Sequence, residues 1–311
     1  MSRKYLLPPC KFYKANLHCH STESDGIYTP AELKEKYMAR GYSIIAFSDH
    51  NRVIPHLDLM DENFIPLTAG EYSIDHDREI FWRYRKCYHL NFISKDKNRE
   101  GFIDYDPAGY SVPEVNSLIS RAAKEGFICQ YNHPRWSLEN YKQYSQFEGL
   151  WGVEVYNHAC QRGGIYEYDI NVHDDFLRDG KKVFLSVGDD NHSEAGSLGA
   201  FVMVNAPSLT YENIIHALLE GKFYASRGPL IHALWVEDGS VHIRCSPVRM
   251  IGMSTEGRRH AARHAQGDAL ITEADFEIRE DDGYIRLSIE DENGYRADTQ
   301  AYFVKDLPLG G

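Results

Sequence analysis

Short apolar runs alternate with amphipathic segments over about the first 228 residues of the chain. The apolar runs are rich in β-branched and aromatic residues, which predicts strands. Two of the segments between them begin with capping boxes, at Thr29 and at Ser111, and are followed by glycines, which predicts helices. The strand–helix–strand order predicts a parallel α/β architecture, either a barrel or a doubly wound sheet. The predicted strands are residues 13–17, 43–47, 127–131, 152–156 and 182–187, and a third predicted helix covers residues 211–220.

The pattern changes after the tripeptide Arg227-Gly228-Pro229. Apolar and polar positions then alternate in short runs, and Asp-Gly and Asn-Gly dipeptides that favour tight hairpins separate these runs. This is typical of a small antiparallel β unit. We therefore expect two domains, a larger α/β domain over residues 12–228 and a small antiparallel β domain over residues 229–311.

Composition narrows the class of protein. The 311 residues include 34 basic and 46 acidic side chains, and the formal net charge of −12 disfavours broad coating of nucleic acid. No apolar run approaches the roughly 20 residues of a membrane-spanning helix, and the first 14 residues lack the apolar stretch of a secretory signal. The six cysteines are scattered, which is typical of reduced thiols. We expect a cytoplasmic protein with no membrane partner and no stable nucleic-acid partner.

Histidines are where the sequence departs from an ordinary composition, since there are 15 of them. His18 and His20 follow the first predicted strand as an H-x-H pair, and alternate residues of an extended chain point to the same side. Asp25 comes five residues after His20, directly before a glycine. A single pair of this kind is more often a surface feature than a metal site, so it indicates little by itself.

Further histidines and carboxylates follow other strands of the predicted sheet. Most of them lie just past the carboxyl end of a strand, and in parallel α/β folds these ends converge on one face, where metals and substrates bind. Imidazole and carboxylate ligands without cysteine suit zinc, manganese or iron. The further candidate positions are Asp49, His50, Glu71, His89, His133, Asp189, Asp190 and His192.

These motifs occur in the order H-x-H-S-T-x-S-D-G, S-D-H-N, G-E, a single histidine, H-P and G-x-D-x-H. In this order they resemble the PHP family, named for its polymerase and histidinol phosphatase members, over residues 12–228. The resemblance implies a PHP metal-dependent hydrolase domain, folded as a distorted (β/α)7 TIM-like barrel. It also implies two or three divalent transition-metal ions, here zinc, manganese or iron, and the hydrolysis of phosphate esters.

The resemblance also implies which residues hold the ions. Glu71 would bridge a first metal and a second, and three further residues would hold a third. His76 competes with His89 for the second metal, because the spacing from Glu71 to His89 is long. The implied ligands are His18, His20, Glu71 and Asp190 for the first metal, Glu71, His89 and His133 for the second, and Asp25, His50 and His192 for the third.

Five other residues are candidates for roles around the metals. Asp49, His158 and Asp189 are candidate catalytic residues that would carry the proton of the leaving group. Arg135, just past the H-P motif, and Arg227 are candidates for binding the substrate phosphate through the planar guanidinium. An ordinary surface ion pair is the alternative for each arginine.

Together these features predict a metal-dependent phosphoric ester hydrolase. A metal-activated hydroxide would attack a small-molecule phosphate ester such as a nucleotide or a sugar phosphate. No glycine-rich phosphate loop or dinucleotide fingerprint is visible, so no organic cofactor is expected. Two alternatives stay open. One is an amidohydrolase-like enzyme that cleaves a C–N or lactone bond with the same metals, and the other is a non-catalytic metal-binding PHP scaffold.

Overall fold

The computed structural model describes residues 3–101, 110–166 and 168–308. The helices in these ranges are α1 (Pro30–Met38), α2 (Val112–Lys124), α3 (Tyr141–Tyr144), α4 (His158–Arg162), α5 (Ile170–Arg178) and α6 (Tyr211–Leu219). None of these described helices is long and apolar enough to cross a membrane. The strands are β1 (Lys4–Leu7), β2 (Phe12–Cys19), β3 (Tyr42–Phe47), β4 (Ile65–Asp75), β5 (Cys87–Ser94), β6 (Phe127–Tyr131), β7 (Gly152–Asn157), β8 (Phe184–Gly188), β9 (Phe201–Asn205), β10 (Phe223–Ser226), β11 (Ile231–Glu237), β12 (Ser240–Val248), β13 (Met250–Thr255), β14 (His260–His264), β15 (Ile271–Glu277), β16 (Tyr284–Glu290), β17 (Arg296–Thr299) and β18 (Tyr302–Phe303).

The chain divides into two compact units. The large unit consists of Tyr13–Val202 and Leu209–Ile215. The β-rich unit consists of Met1–Phe12, Met203–Ser208 and His216–Gly311. The predicted second domain, residues 229–311, contains fewer residues than the β-rich unit. The predicted division into residues 12–228 and 229–311 stays a prediction about domain organisation.

The large unit contains a mixed sheet in the order β2-β3-β4-β5-β6-β7-β8. Neighbouring strands are parallel except at β5, which runs antiparallel to both β4 and β6. The predicted parallel order is therefore wrong at β5, because β5 follows β4 through a hairpin connection, which reverses the chain, instead of through a crossover helix. The α/β class is confirmed, with a mixed sheet in place of a parallel one.

The mixed α/β architecture is confirmed, but the predicted TIM-like barrel is not. Among the described residues, the ladder of strands does not close between β8 and β2. The chain segments at the carboxyl ends of these strands meet through an Asp190 N–H that donates to the His18 carbonyl at 2.9 Å, and through an isolated bridge between Cys19 and Asn191. Helices of nine residues or more are also few among the described residues, namely α1, α2, α5 and α6.

The capping boxes form as the sequence predicts. Thr29 Oγ1 accepts a hydrogen bond from the Glu32 N–H at 3.3 Å, and the Glu32 carboxylate accepts one from the Thr29 N–H at 2.8 Å. Pro30 then occupies the first position of α1, where no intrahelical N–H partner is needed. In α2 the buried residues recur at three- and four-residue spacing, so the helix packs one apolar stripe against the rest of the large unit. These residues are Val115, Leu118, Ile119 and Ala122.

The β-rich unit contains two antiparallel sheets, β1-β11-β12-β15 and β14-β13-β16-β17-β10. Side chains from both sheets form one apolar core, which includes Leu234, Ile243 and Leu287. The Asp238-Gly239 dipeptide has positive φ at both residues, 49° and 73°, as a tight hairpin requires. The predicted β character of this part is confirmed, but the sequence gives no strand signal for β14, which is largely exposed and lacks apolar alternation.

Candidate metal centre

The carboxyl ends of parallel strands carry most of the implied ligands. His20 follows β2, His50 follows β3, His133 follows β6 and Asp190 follows β8, each within three residues of the strand end. Because the strands are parallel, these positions meet at one edge of the sheet. His89 reaches the same edge by another route, since it lies near the start of the antiparallel strand β5.

The first group of donors consists of His18, His20, Glu71 and Asp190. Nε2 of His18 lies 3.3 Å from Glu71 Oε1 and 3.2 Å from Asp190 Oδ1. Nε2 of His20 lies 3.4 Å from Glu71 Oε2 and 3.0 Å from Asp190 Oδ1. All four side chains are buried, so the group is enclosed by protein.

Glu71 also belongs to a second group. Its Oε1 lies 3.1 Å from Nδ1 of His89 and 3.3 Å from Nε2 of His133. The structure thus brings His89 to Glu71 despite the long spacing between them. The competing residue His76 instead packs its ring against Tyr110, with the ring centroids 4.5 Å apart.

The third group consists of His20, Asp25, His50 and His192. Asp25 Oδ1 lies 3.1 Å from Nε2 of His192, and Asp25 Oδ2 lies 3.7 Å from Nε2 of His50. Nδ1 of His50 faces Glu71 Oε2 at 3.1 Å, which joins this group to the first. The sharing of His20 between two groups is not predicted by the motifs. This group is the most accessible one, since the Asp25 side chain is 56% exposed.

The distances and the unsatisfied atoms fit divalent metal ions. Tetrahedral zinc with ligand bonds of about 2.0 Å sets neighbouring donor atoms about 3.3 Å apart, and the separations in the first group are 3.0–3.4 Å. Buried polar atoms without a hydrogen-bond partner are rare and costly, and a bound cation would satisfy them. Within the described residues, four such atoms lie in the donor groups: His20 Nδ1, His50 Nδ1, Glu71 Oε2 and Asp190 Oδ1.

The charges of the cluster also favour a cation. Burial lowers the pKa of His20, but the carboxylates of Asp190 and Glu71 outweigh it and raise the pKa to about 9. Burial raises the pKa of Glu71, but the surrounding imidazoles outweigh it and hold that pKa well below its ordinary value. The carboxylates therefore require positive charge beside them, which either protonated imidazoles or metal ions supply.

Two of the implied ligands adopt backbone conformations that residues other than glycine rarely take. His133 has φ of 25° and Asp190 has φ of 53°, and neither is a glycine. Such conformations cost free energy and cluster at functional sites, where the surrounding structure enforces them. At Asp190 the backbone is held in part by its N–H, which donates to the His18 carbonyl at 2.9 Å.

Glu154 on β7 contacts two of the implied ligands, and the sequence motifs do not assign it a role at the site. The side chain is fully buried. Its Oε1 lies 3.0 Å from Nδ1 of His18, and its Oε2 accepts from the backbone N–H of His133 at 3.1 Å. The signal that could have found it is a glutamate in the middle of an apolar strand, because a fully buried carboxylate needs a partner.

Two asparagines and one glycine complete this support. Asn132 donates to Glu71 at 2.8 Å, and Asn157 donates to Asp190 at 3.0 Å. Gly188 leaves room for the contact between Glu154 and His18, since a Cβ there would lie 2.5 Å from Glu154 Oε1 and 2.5 Å from His18 Cβ. Outer partners of this kind fix the orientation of metal ligands and raise their basicity.

Replacing Glu154 by glutamine should weaken metal binding about 10- to 100-fold, the range typical for partners of metal ligands. The amide keeps the shape of the side chain but removes the negative charge that fixes His18 with Nε2 toward the cluster. Titration of the purified variant with zinc against a competing chelator measures the change. Glu148→Gln, at an exposed side chain that pairs with Lys181, is the matched control. Equal affinities in the two variants would show that Glu154 does not orient the ligand.

Two of the predicted catalytic residues, Asp49 and Asp189, lie in buried hydrogen-bond networks. Asp49 accepts from the N–H and the hydroxyl of Ser21 and from the Ser24 hydroxyl, each at 2.8 Å. Asp189 accepts from the Tyr37 hydroxyl at 2.7 Å and from three consecutive backbone N–H groups at 2.8, 2.9 and 2.9 Å. These contacts fix the loops around the ligands and favour a structural role, and the proposed proton transfer by either residue stays a prediction.

The other three candidates lie outside the donor groups. His158 begins α4, and its Nδ1 lies 2.9 Å from the Tyr156 hydroxyl. Arg135 is exposed on the turn after β6. Arg227 belongs to the β-rich unit, where its guanidinium lies 5.1 Å from the centroid of the Tyr295 ring. The substrate-binding roles of the two arginines and the catalytic role of His158 stay predictions.

Comparisons with known proteins give distant likenesses. No family model matches the chain. A 40-residue segment is 45% identical to the 5'-3' exoribonuclease of Haemophilus influenzae, and it spans 13% of this chain and 15% of that protein. One solved structure is of a two-domain protein from Bacteroides vulgatus that contains a predicted PHP-like metal-dependent phosphoesterase. It is 15% identical to this chain, with 96% of this chain and 98% of that chain covered and a TM-score of 0.48. Its description names the same family that the sequence motifs resemble.

A second solved structure is similar to a smaller part of the chain. It is an amidohydrolase from Chromobacterium violaceum with bound sulfate and no metal, 15% identical over 67% of this chain and 96% of that chain, with a TM-score of 0.43. Likenesses at such identities and TM-scores do not decide which bond is cleaved. The proposed function therefore rests on the donor groups and their surroundings.

Proposed function

We propose that the chain is a metal-dependent phosphoesterase that holds two or three divalent transition-metal ions, zinc, manganese or iron. The observation that supports this most strongly is the convergence of nine histidine and carboxylate side chains into three adjacent donor groups, with Glu71 shared between two of them. Adjacent metal ions are typical of enzymes that hydrolyse phosphate esters. We propose residues 12–228 as a PHP-type domain in which the strands form a distorted barrel around these groups.

Divalent ions held by these residues would lower the pKa of a water molecule and neutralise the oxygens of a phosphate ester. The chain's own part is to fix the ligands. Glu154 would accept a hydrogen bond from Nδ1–H of His18, which leaves Nε2 of that ring turned toward the cluster. Glu71 holds the groups at a fixed separation, because its two oxygens face different histidines.

Groups beside the donor groups would bind the phosphate and move the proton of the leaving group. Arg135 lies two residues after His133, and a planar guanidinium can hold two phosphate oxygens at once. We assign the leaving-group proton to His158, because Asp49 already accepts three structural hydrogen bonds and Asp189 accepts four. An imidazole can both donate and accept a proton, which this task requires.

Hydrolysis assays on separately reconstituted zinc, manganese and iron forms test this proposal. The substrates are phosphate monoesters and diesters, with nitroanilide amides and lactones as the competing class. We expect hydrolysis of phosphate esters with at least one metal and no hydrolysis of amides or lactones. Hydrolysis of amides or lactones alone would establish the amidohydrolase-like alternative. No turnover of either class by a fully metal-loaded protein would establish the scaffold alternative.

A further inference from the structure

Three large aromatic side chains lie exposed within four consecutive residues between β4 and β5. Phe81, Trp82 and Tyr84 are 58%, 62% and 75% exposed. The guanidinium of Arg83 lies 5.8 Å from the ring centroid of Phe81 and 5.4 Å from that of Trp82. Single exposed aromatic residues are ordinary, but a cluster of this kind marks a surface that contacts another molecule.

Hydrogen bonds within the segment hold the aromatic residues in place. Arg85 donates to the Ile80 carbonyl from Nε at 3.1 Å and from Nη2 at 3.0 Å, and to the Arg78 carbonyl at 2.9 Å. The Tyr84 N–H donates to the Phe81 carbonyl at 2.9 Å within a short 3-10 turn. We call residues 76–86 the aromatic tip.

The aromatic tip extends past the donor groups on the edge of the sheet where these groups lie. The ladder between β3 and β4 ends at Thr68, but β4 continues paired with β5 as far as Asp75 and Cys87. Glu71 and His89 both lie on this extension. From Glu71 to Asp75 the strand rises by about 13 Å, at about 3.3 Å for each of four residues. On the other strand, His89 lies three residues after Lys86, so the aromatic tip begins about 10 Å along the strand from this donor.

The charge of the aromatic tip is opposite to that of the chain. Four basic residues and two acidic ones give a local charge of 4 − 2 = +2, whereas the whole chain carries −12. The adjacent Asp75, which pairs with Arg78 at 3.5 Å and with Arg85 at 3.6 Å, reduces this local charge to +1. Arginines interleaved with aromatic rings attract phosphates and stack the planar faces of nucleobases. A sugar phosphate has no such face. The basic residues are Arg78, Arg83, Arg85 and Lys86, and the acidic ones are Asp77 and Glu79.

A further aromatic ring lies directly beside the metal donors. The Trp136 ring centroid is 5.1 Å from that of His89 and 5.0 Å from that of His133. The segment that carries Trp136 is joined to the start of β5 by the Cys87 N–H, which donates to the Ser137 carbonyl at 3.3 Å. Aromatic surface is thus present at the donors and at the aromatic tip.

We propose that the aromatic tip stacks a nucleobase of a substrate whose phosphate lies at the metal donors. The substrates are then phosphate esters that carry nucleobases, namely nucleotides and short single-stranded oligonucleotides. This inference rests on the proposed phosphoesterase function. Stacking one or two bases of a bound substrate does not require a stable nucleic-acid complex, which the net charge disfavours.

Paired kinetics on two substrates test the inference. The first substrate is a 5'-phosphorylated adenosine dinucleotide, and the second is ribose 5-phosphate, which lacks a base. In the combined variant Phe81→Ala, Trp82→Ala and Tyr84→Ala, we expect kcat/KM to fall about 10- to 100-fold on the dinucleotide, the range for losing base stacking, and to stay within about twofold on ribose 5-phosphate. Trp82→Phe should retain most of the activity, because it keeps an aromatic face. Tyr5→Ala, at an exposed aromatic residue of the β-rich unit, is the matched control.

A binding measurement separates this inference from the proposed function. Fluorescence anisotropy of a labelled short single-stranded oligonucleotide, with chelator present, requires no turnover. We expect binding by the wild-type chain and a loss of about tenfold or more in the combined variant. Equal binding by the two proteins, or equal losses of kcat/KM on both substrates, would overturn the inference. Loss of binding to anionic lipid vesicles with unchanged dinucleotide kinetics would also overturn it, in favour of a membrane surface. If the wild-type chain turns over no phosphate ester, that result contradicts the proposed function but not the binding of a nucleobase by the aromatic tip.

Discussion

The Glu71→Gln variant should lose more activity than any other single substitution in the chain. Glu71 lies in two donor groups, and its oxygens approach five histidines, with His18, His89 and His133 on Oε1 and His20 and His50 on Oε2. An amide offers only one oxygen and no charge, so it cannot bridge two ions. We expect kcat/KM to fall about 10³-fold or more, the scale for losing a residue that acts as part of a catalytic unit. Bound metal should fall by at least one ion per chain.

Kinetics and elemental analysis on the same sample of Glu71→Gln check this expectation. Glu35→Gln, at an exposed glutamate of α1, controls for the loss of a carboxylate elsewhere. Circular dichroism establishes that the variant is folded. A folded variant with full metal content and wild-type turnover would remove Glu71 from the ligand set.

The second large effect is expected for Arg135→Ala. Pro134 limits the backbone between His133 and Arg135, and the turn is closed by the Leu138 N–H, which donates to the Arg135 carbonyl at 3.1 Å. If the guanidinium binds the phosphate, its loss should lower kcat/KM by about 10²- to 10³-fold, as for one preorganised charge-stabilising donor. The metal content should not change, because Arg135 belongs to no donor group.

Two further variants distinguish phosphate binding by Arg135 from an ordinary surface ion pair. Arg135→Lys should recover only part of the activity, since a point charge cannot reproduce the planar fork. Arg178→Ala is the matched control, because Arg178 is exposed at the end of α5, which precedes β8 and so lies toward the other end of the strands. An ordinary surface ion pair at Arg135 predicts unchanged kcat/KM and a stability change below about 1 kcal/mol. That result would rule out phosphate binding by Arg135.

The sequence predicts the part of the site that follows regular strand ends. His18 and His20 lie two residues apart on an extended segment, so their side chains share a side, and the short distance between their rings follows from that spacing. The strand Phe127–Tyr131 has the predicted bounds because it is apolar except at Gln130 and lies between a glycine and a polar turn.

The sequence does not predict features that depend on contacts between distant segments. The antiparallel strand β5 escapes prediction, because the direction of a strand is set by its connection and not by its composition. Glu154 is assigned no supporting role, since its partners His18 and His133 come from two other strands. Asp189 and Asp190 are adjacent, and the positive φ of 53° at Asp190 separates the roles of their side chains, one in the cluster and one in a structural network.

We propose that the nine donors form one site for two or three metal ions. The most direct measurement is elemental analysis of the wild-type chain, purified without chelator and then reconstituted with zinc, manganese or iron. We expect between two and three ions per chain with at least one of these metals, and removal of the ions by chelator should abolish hydrolysis of phosphate esters. Fewer than one ion per chain with every metal would contradict the account.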